Sequence, residues 1–426
     1  MSASAPLVTP PSGPRWLPSP MMVAVNALGI TQITAWGTSY YCLGVLAAPI
    51  AAELGWSRGF VFLGFTVSVL VMALISTTVG RLIDRVGART IMSLGSVIVA
   101  TGLYLLSLVT VEWAYLAVWV LIGIGMRFCL YDAAFAALVQ IAPARGRQAI
   151  SYLTLYGAFA SSVFWVVGHY LEEAMGWRQT LVVFAALNLA VCLPLHWLGL
   201  SRREAAAPAG AASSAATSTA SFLEGRARTL AIGLFALVMS LNGFVFGIVS
   251  VQLVPLLEAA GLATAAAVWM ASMKGVAQFA GRLVEIVFGR NLSAMAIGRI
   301  SIAVVPLSFA LLYWSGGSFA VLLVFTLLMG AAQGVLTIVR GAVPLALFGA
   351  KGYGAVLGLI ATPVLLVSAA SPTVFAWIVD RWGWQVGHIA ILVSSVAAML
   401  SMETMARWHR RSTRAAAAAS TTGPQT

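Results

Sequence analysis

The chain has 426 residues, of which 61% are hydrophobic and only 8% charged, and its mean hydropathy is +0.96. Soluble globular domains are about 45–50% apolar and about 25% charged, so the composition excludes that class. The net charge of +12 does not indicate nucleic-acid binding, because the basic residues stand mostly between long apolar segments.

Twelve apolar segments follow one another along the chain, each long enough to cross about 30 Å of hydrocarbon as a helix. They lie near residues 22–47, 59–79, 91–110, 114–140, 149–171, 178–199, 229–256, 264–284, 295–313, 319–341, 353–377 and 386–406. The pattern predicts an all-α membrane protein with twelve transmembrane helices and short polar tails. We expect disordered tails at 1–20 and 407–426.

The segment 201–228 divides the helices into two sets of six. Much of it is Ala, Ser, Thr, Pro and Gly, which is typical of a flexible linker. Landmarks on one side recur on the other: Gly37, Pro49 and Gly55 as Gly243, Pro255 and Gly261; Gly80-Arg81-Leu82 as Gly281-Arg282-Leu283; Gly176-Trp177 as Gly383-Trp384. The repeat predicts two pseudo-symmetric six-helix bundles, 21–200 and 229–406.

Basic residues are distributed unequally between the two sets of loops. Seventeen, among them Arg147 and Arg340, are assigned to loops on one side, whereas the other side holds Arg58, Arg178 and Arg381. The positive-inside rule therefore places both termini in the cytoplasm. The Ala- and Arg-rich composition suggests a bacterial inner membrane.

Of the charged residues inside predicted spans, three stand out: Arg127, Asp132 and Lys274. A charge there costs at least about 2.5–3.5 kcal/mol and indicates function. Arg127 and Asp132 are five positions apart, about 140° around a regular helix, so a direct pair is disfavoured and Tyr131 is the expected neighbour of Arg127. Asp132 would then meet another helix, unless a bend brings it to Arg127. Lys274 can lose its proton when desolvated, unlike arginine, and with Asp132 it is a candidate proton carrier.

Two cations against one acid favour a small anionic ligand. The polar first and seventh helices add candidate binding residues, although the same side chains could serve only helix packing. The predicted binding residues are Arg127, Lys274, Tyr131, Trp36, Thr38 and Asn242.

Cysteines and histidines are scattered, so neither a metal site nor a catalytic cluster is supported, and we expect no enzyme and no cofactor.

The stretch GRLIDRVG, residues 80–87, resembles the signature of the major facilitator superfamily in the loop between helices two and three. We expect Gly80 to end helix two and Gly87 to let the loop turn. The resemblance implies a twelve-helix transporter in which Asp84 and Arg85 latch the halves together on the cytoplasmic side. The predicted gating residues are Gly80, Asp84, Arg85, Gly87 and Arg89, with Gly281, Arg282 and Glu285 in the second copy.

The chain is also similar to the monocarboxylate porters and oxalate/formate antiporters, in which a cation on helix eight receives the substrate carboxylate. That resemblance implies such a role for Lys274. The expected function is alternating-access transport of a small organic anion, proton-coupled or by exchange, by a monomer in the lipid bilayer. The alternatives are proton-driven efflux of drugs or metabolites, and a membrane sensor that transports nothing.

Overall fold

The computed structural model of the protein describes residues 19–204, 223 and 225–421, and these form helices joined by short connections. The first half contains α1 (Pro20–Ala35), α2 (Leu43–Leu54), α3 (Arg58–Val86), α4 (Ala88–Ser107), α5 (Glu112–Cys129), α6 (Tyr131–Ile141), α7 (Gly146–Gly157), α8 (Ala160–Leu187) and α9 (Leu193–Gly199). The second contains α10 (Gly225–Ala259), α11 (Thr264–Phe288), α12 (Ala294–Tyr313), α13 (Phe319–Phe348) and α14 (Tyr353–Thr421).

These helices correspond to the twelve predicted spans once their breaks are considered. The continuous helical stretches 143–199 and 353–412 each contain a non-helical glycine, Gly176 or Gly383, and each covers two spans. A π-helical stretch, Trp36–Tyr40, interrupts the first span between α1 and α2. The chain is therefore an all-helical, multi-pass membrane protein, as the apolar pattern predicts.

Most of the predicted N-terminal tail and most of the linker lie outside the described residues. The predicted boundaries of the second half need correction, because α10 begins at Gly225 and α14 continues to Thr421. Residues 407–421 are thus helical rather than disordered, while 422–426 lie outside the described residues.

Two expectations about individual residues are wrong. Gly80 does not end helix two, because α3 continues to Val86 and the turn comes at Gly87, whose φ is 97°. Arg340 does not lie in a loop, because α13 continues to Phe348. Both errors arise because a helix can project past the apolar segment that marks it.

Two glycines in corresponding positions show that the halves share local backbone geometry. Gly176 has φ 80° and ψ 166°, and Gly383 has φ 82° and ψ 169°. Each precedes a tryptophan, and only glycine adopts such angles readily. The recurring Gly-Trp pair therefore marks the same helix break in each half.

The two halves contact each other mainly through α3 and α14, and through α7 with α11 and α13. We call the end of the bundle that carries Gly87, residues 142–145 and residues 349–352 the basic end. Gly80 and Gly358 allow the α3 and α14 backbones to touch, since a Cβ on either would lie within 2.3 Å of a carbonyl oxygen opposite. The halves are consequently closed against each other from mid-bundle to the basic end.

Candidate functional site

The fourth span is not one helix but two, α5 and α6, separated by Leu130 in an extended conformation (φ −79°, ψ −172°). The break frees the carbonyl of Cys129, which accepts a hydrogen bond of 2.7 Å from the amide nitrogen of Gln32 on α1. It also places Asp132 in the first turn of α6, where a negative charge is favoured by the helix dipole.

Because of this break, Arg127 and Asp132 form a buried ion pair, contrary to the expectation for a regular helix. Asp132 also pairs with Arg340 of α13 in the other half, at 2.6 Å. Both guanidinium groups donate to the same carboxylate oxygen, Oδ2. The side chains of Arg127 and Asp132 are each 4% exposed, whereas that of Arg340 is 26% exposed. We call these three residues the charge triad.

The charge triad is incompletely satisfied. Among residues 19–204, 223 and 225–421, neither Oδ1 of Asp132 nor Nε of Arg127 has a hydrogen-bond partner, although both atoms are buried. One carboxylate faces two guanidinium groups, so the triad carries an excess positive charge. Such a cluster can accept a further anionic group.

Aromatic side chains lie beside the triad. The ring of Tyr131, the residue before Asp132, is 5.2 Å from that of Trp36 and stacks on Phe135 at 5.3 Å. Trp36 in turn packs against Tyr40 at 4.7 Å and Tyr41 at 5.9 Å. The π-helical stretch brings these first-span rings together, and π-bulges are often found at functional sites.

Two predicted binding residues, Thr38 and Asn242, are buried and have partners inside their own halves. Thr38 donates to the carbonyl of Thr34 and accepts from Asn188 at 2.9 Å. The side-chain amide of Asn242 pairs reciprocally with that of Gln333 on α13. The structure thus gives both residues packing contacts and does not bring them to the charge triad.

Lys274 lies on α11, and its backbone passes close to Gly330 of α13. Its side chain is partly buried, and within the described ranges it forms no ion pair with an acidic group. Gly330 precedes Arg340 on α13 by ten positions, or about 15 Å along a helix. The structure therefore separates Lys274 and Arg340 along the length of α13.

At the basic end, Asp84 reaches the other half. Its two carboxylate oxygens accept hydrogen bonds from the backbone N–H groups of Gly354 and Ala355, at 2.9 and 2.8 Å. These donors are in the first turn of α14, where backbone N–H groups lack partners within the helix. Arg85 is exposed, and Arg89 lies 4.0 Å from the ring of Trp197.

The second copy of the motif forms a different contact. Glu285 of α11 pairs with Arg147 at 2.9 Å and accepts from the hydroxyl of Ser151 at 2.9 Å, both on α7. Arg282 donates to the carbonyl of Thr154, also on α7, at 2.7 Å. Gly281 lies against the backbone of Ala331, so it serves a close helix approach, as Gly80 does.

Sequence reasoning missed Arg340 and Arg147 as members of the site. Both were assigned to the count of topology-determining loop charges. Arg340 stood at the edge of a predicted apolar segment, and the continuing apolar run to Phe348 was the signal that it belongs inside a helix. For Arg147 no comparable signal exists in the sequence. Within the described residues, no group of His, Cys, Asp and Glu could hold a metal ion.

Comparison with solved structures shows which fold this arrangement represents. The human organic anion transporter MFSD10 (TETRAN) superposes with a TM-score of 0.71 at 18% identity, covering 90% of this chain and 100% of that one. The transporter FucP in its outward conformation superposes with a TM-score of 0.68 at 14% identity, covering 91% of this chain and 99% of that one. The proton:xylose symporter XylE superposes with a TM-score of 0.62 at 15% identity, covering 90% of this chain and 94% of that one. Because the sequence identities are this low, the structural similarity shows a shared fold alone.

Sequence comparison adds a relative and a family. The agnestins efflux protein AgnL12 of Paecilomyces divaricatus is 25% identical over 177 residues, which is 40% of this chain. The aligned part spans only 37% of that protein's length. The sequence profile of the Major Facilitator Superfamily matches residues 28–310, well over half of the chain. The chain therefore belongs to the Major Facilitator Superfamily and is a multi-pass secondary transporter, not an enzyme.

Proposed function

We propose that this transporter moves a small organic anion with a single carboxylate by alternating access between its two halves. The observation that carries the proposal is the charge triad, in which the two buried or half-buried guanidinium groups of Arg127 and Arg340 share the carboxylate of Asp132. Lys274, without an acidic partner in the described part of the chain, adds to the positive charge of the interior. Unbalanced positive charge in a membrane protein attracts an anion.

The membrane potential determines what must accompany that anion. Inward movement of a monoanion against an inside-negative potential costs about 2.3 kcal/mol per 100 mV. Import therefore requires a cotransported proton or an anion leaving in exchange. The proposed proton carriers are Lys274 and Asp132, whose Oδ1 accepts no hydrogen bond from any residue that the structure describes. Trp36 and Tyr131 are the proposed contacts for the non-polar part of the substrate.

The proposed topology places the basic end in the cytoplasm and both termini on the same side. The closed basic end then corresponds to an outward-facing state. In this state Asp84 holds the start of α14, and Glu285 holds Arg147 and Ser151 of α7. We propose that these two contacts are the latches that open when the transporter turns inward.

The names of two similar proteins bear on the substrate and on direction. MFSD10 is described as an organic anion transporter, which supports the anion proposal. AgnL12 is described as an efflux protein, which keeps export as a second candidate. An exporter of anions would use the same charge triad, and the inside-negative membrane potential would favour outward movement of the anion.

The test is the thermal stability of the purified protein with mono- and dicarboxylates, sugars and cationic drugs. A ligand at 100 times its dissociation constant stabilises a protein by about 2.7 kcal/mol. We expect a monocarboxylate to raise the melting temperature, and Arg127→Ala or Lys274→Ala to reduce that shift. Stabilisation by sugars or cations alone, equal in wild type and variants, would refute an anionic substrate.

A further inference from the structure

The ion pair between Asp132 and Arg340 is the part of the charge triad that joins the two halves. Asp132 lies in the first turn of α6 in the first half, and Arg340 lies on α13 in the second. Asp132 is nine residues before the end of α6 and Arg340 eight before the end of α13, so both are about 12–14 Å from the basic end. The halves cannot part at the basic end while this ion pair is intact.

The charges on each half show what separation requires. Arg127 and Asp132 belong to the same half and neutralise each other if Arg340 withdraws. Arg340 would then be a lone cation within the membrane, which is strongly unfavourable without a counter-ion. A carboxylate bound to Arg340 would neutralise that guanidinium. The halves could then separate without leaving the charge of Arg340 uncompensated.

Arg340 is also the triad member that a ligand can reach. Its side chain is 26% exposed, compared with 4% for Arg127. A guanidinium group presents several N–H donors in a plane and binds carboxylates with two parallel hydrogen bonds. Arg340 uses Nη2 for Asp132, through the single oxygen Oδ2 that Arg127 also occupies. Arg340 thus shares one oxygen of Asp132 with Arg127, and the second oxygen of Asp132 accepts no hydrogen bond from Arg340.

We propose that Arg340 is the residue that receives the carboxylate of the substrate, and that the substrate displaces Asp132 from it. Binding of the anion and separation of the two halves are then the same event, in which Arg340 exchanges the carboxylate of Asp132 for that of the substrate. This inference rests on the proposed function and assigns the receiving cation to Arg340 on α13. Asp132 acts as a built-in competitor that keeps the empty protein closed at the basic end.

The experiment compares binding of benzoate, lactate and acetate to wild type, Asp132→Asn and Arg340→Gln, using thermal shifts titrated with each carboxylate. Removing the competing carboxylate should tighten binding in Asp132→Asn by about tenfold or more, since the receiving cation is no longer occupied. Arg340→Gln should lose the carboxylate-dependent shift. Arg299→Gln, which removes a different arginine of the second half from its partner Glu403, should bind as wild type does.

The outcomes separate this inference from the proposed function. Weaker binding in Asp132→Asn, or an unchanged shift in Arg340→Gln, would overturn the exchange of partners while leaving an anion transporter. Absence of a shift with every carboxylate in wild type and in Asp132→Asn would refute the anionic substrate itself, and the inference with it.

A second measurement keeps the test valid if Asp132→Asn does not fold. Thr77 and Thr362, whose hydroxyl oxygens are 3.5 Å apart across the halves, are replaced by cysteine in a protein with Asp132 intact. Benzoate should lower the yield of cross-linking between these cysteines, and the additional change Arg340→Gln should abolish that effect. A benzoate effect that persists with Arg340→Gln would contradict the role assigned to Arg340.

Discussion

At the scale of single residues, the break at Leu130 allows Arg127 and Asp132 to form an ion pair although they are five positions apart in the chain. Arg127 and Asp132 were recognisable because charges in an apolar segment are costly. Their pairing was not, because nothing as plain as proline or glycine marks the break at Leu130. The break depends on tertiary contacts such as that of Gln32 with the Cys129 carbonyl, which local sequence does not reveal.

Arg127 should contribute to stability as well as to function. We predict that Arg127→Gln lowers the free energy of unfolding by about 1.5–3 kcal/mol, the range for a hydrogen bond to a charged group, because Arg340 still neutralises Asp132. Arg299→Gln is the control, since the Arg299–Glu403 pair is about one-third exposed and should contribute about 1 kcal/mol or less. Equal losses in the two variants, measured by thermal unfolding, would contradict a special role for the buried pair.

Glu53, beyond the first predicted span, gives a prediction about pH. The hydrogen bond from Arg178 holds the pKa of the Glu53 carboxyl below its ordinary value of 4.5, and Trp177 also donates to it. Because the pKa of Glu53 is lower in the folded than in the unfolded protein, its ionised carboxylate stabilises the fold. This stabilisation is complete above the unfolded pKa and is lost as the pH falls through the folded pKa.

Because the Glu53 side chain is half exposed, we expect Glu53→Gln to cost only about 0.2–1 kcal/mol at pH 7. The difference in melting temperature between wild type and this variant should disappear as the pH is lowered below about 4. A difference that is constant from pH 7 to pH 3 would show that the charge of Glu53 is not the cause.

At the scale of helices, apolar length predicted the spans well and their ends poorly. Hydropathy reports where a helix meets hydrocarbon, whereas α3, α13 and α14 continue beyond it. The same limitation placed Gly80 at a helix end. Its actual role, a close approach between α3 and α14, depends on a helix distant in sequence, so one sequence could not show it.

The close approach of α3 and α14 is sensitive to added volume. A Cβ on Gly358 would lie 2.3 Å from the carbonyl oxygen of Ser76, so Gly358→Ala should destabilise the protein by about 1–3 kcal/mol. Gly233→Ala is the control, because among the described residues no atom outside the adjoining turns of its own helix lies within 4 Å of an added Cβ. Alanine also favours a helix by about 0.5–1 kcal/mol relative to glycine. A Gly358→Ala variant that is as stable as Gly233→Ala would contradict the packing described.

Movement between α3 and α14 should be necessary for transport. We predict that a short thiol cross-linker joining cysteines at positions 77 and 362 stops transport, because it fixes the contact between the halves. A reducible linker should restore transport on reduction. Each single-cysteine variant treated with the same reagent is the control, and full transport by the cross-linked protein would show that this contact does not open.

At the scale of the whole molecule, the internal repeat predicted two similar halves but not the difference between the contacts of its two motif copies. Asp84 and Glu285 stand at corresponding positions of the two motif copies, yet Asp84 contacts backbone N–H groups of α14 while Glu285 pairs with Arg147. The repeat could not show this difference, because each contact depends on the other half. The two contacts close the basic end of the protein, and the ion pair of Asp132 with Arg340 joins the halves farther from that end.

The central claim is that the excess positive charge between the halves serves to carry an organic anion across the membrane. The most direct test is uptake of radiolabelled benzoate, lactate and acetate by sealed proteoliposomes, with and without an imposed pH gradient or internal unlabelled anion. We predict uptake by wild type above that of protein-free liposomes, enhanced by one of these two gradients and abolished by Arg340→Gln. Transport of sugars or cations instead, with no carboxylate flux under either gradient, would contradict the account.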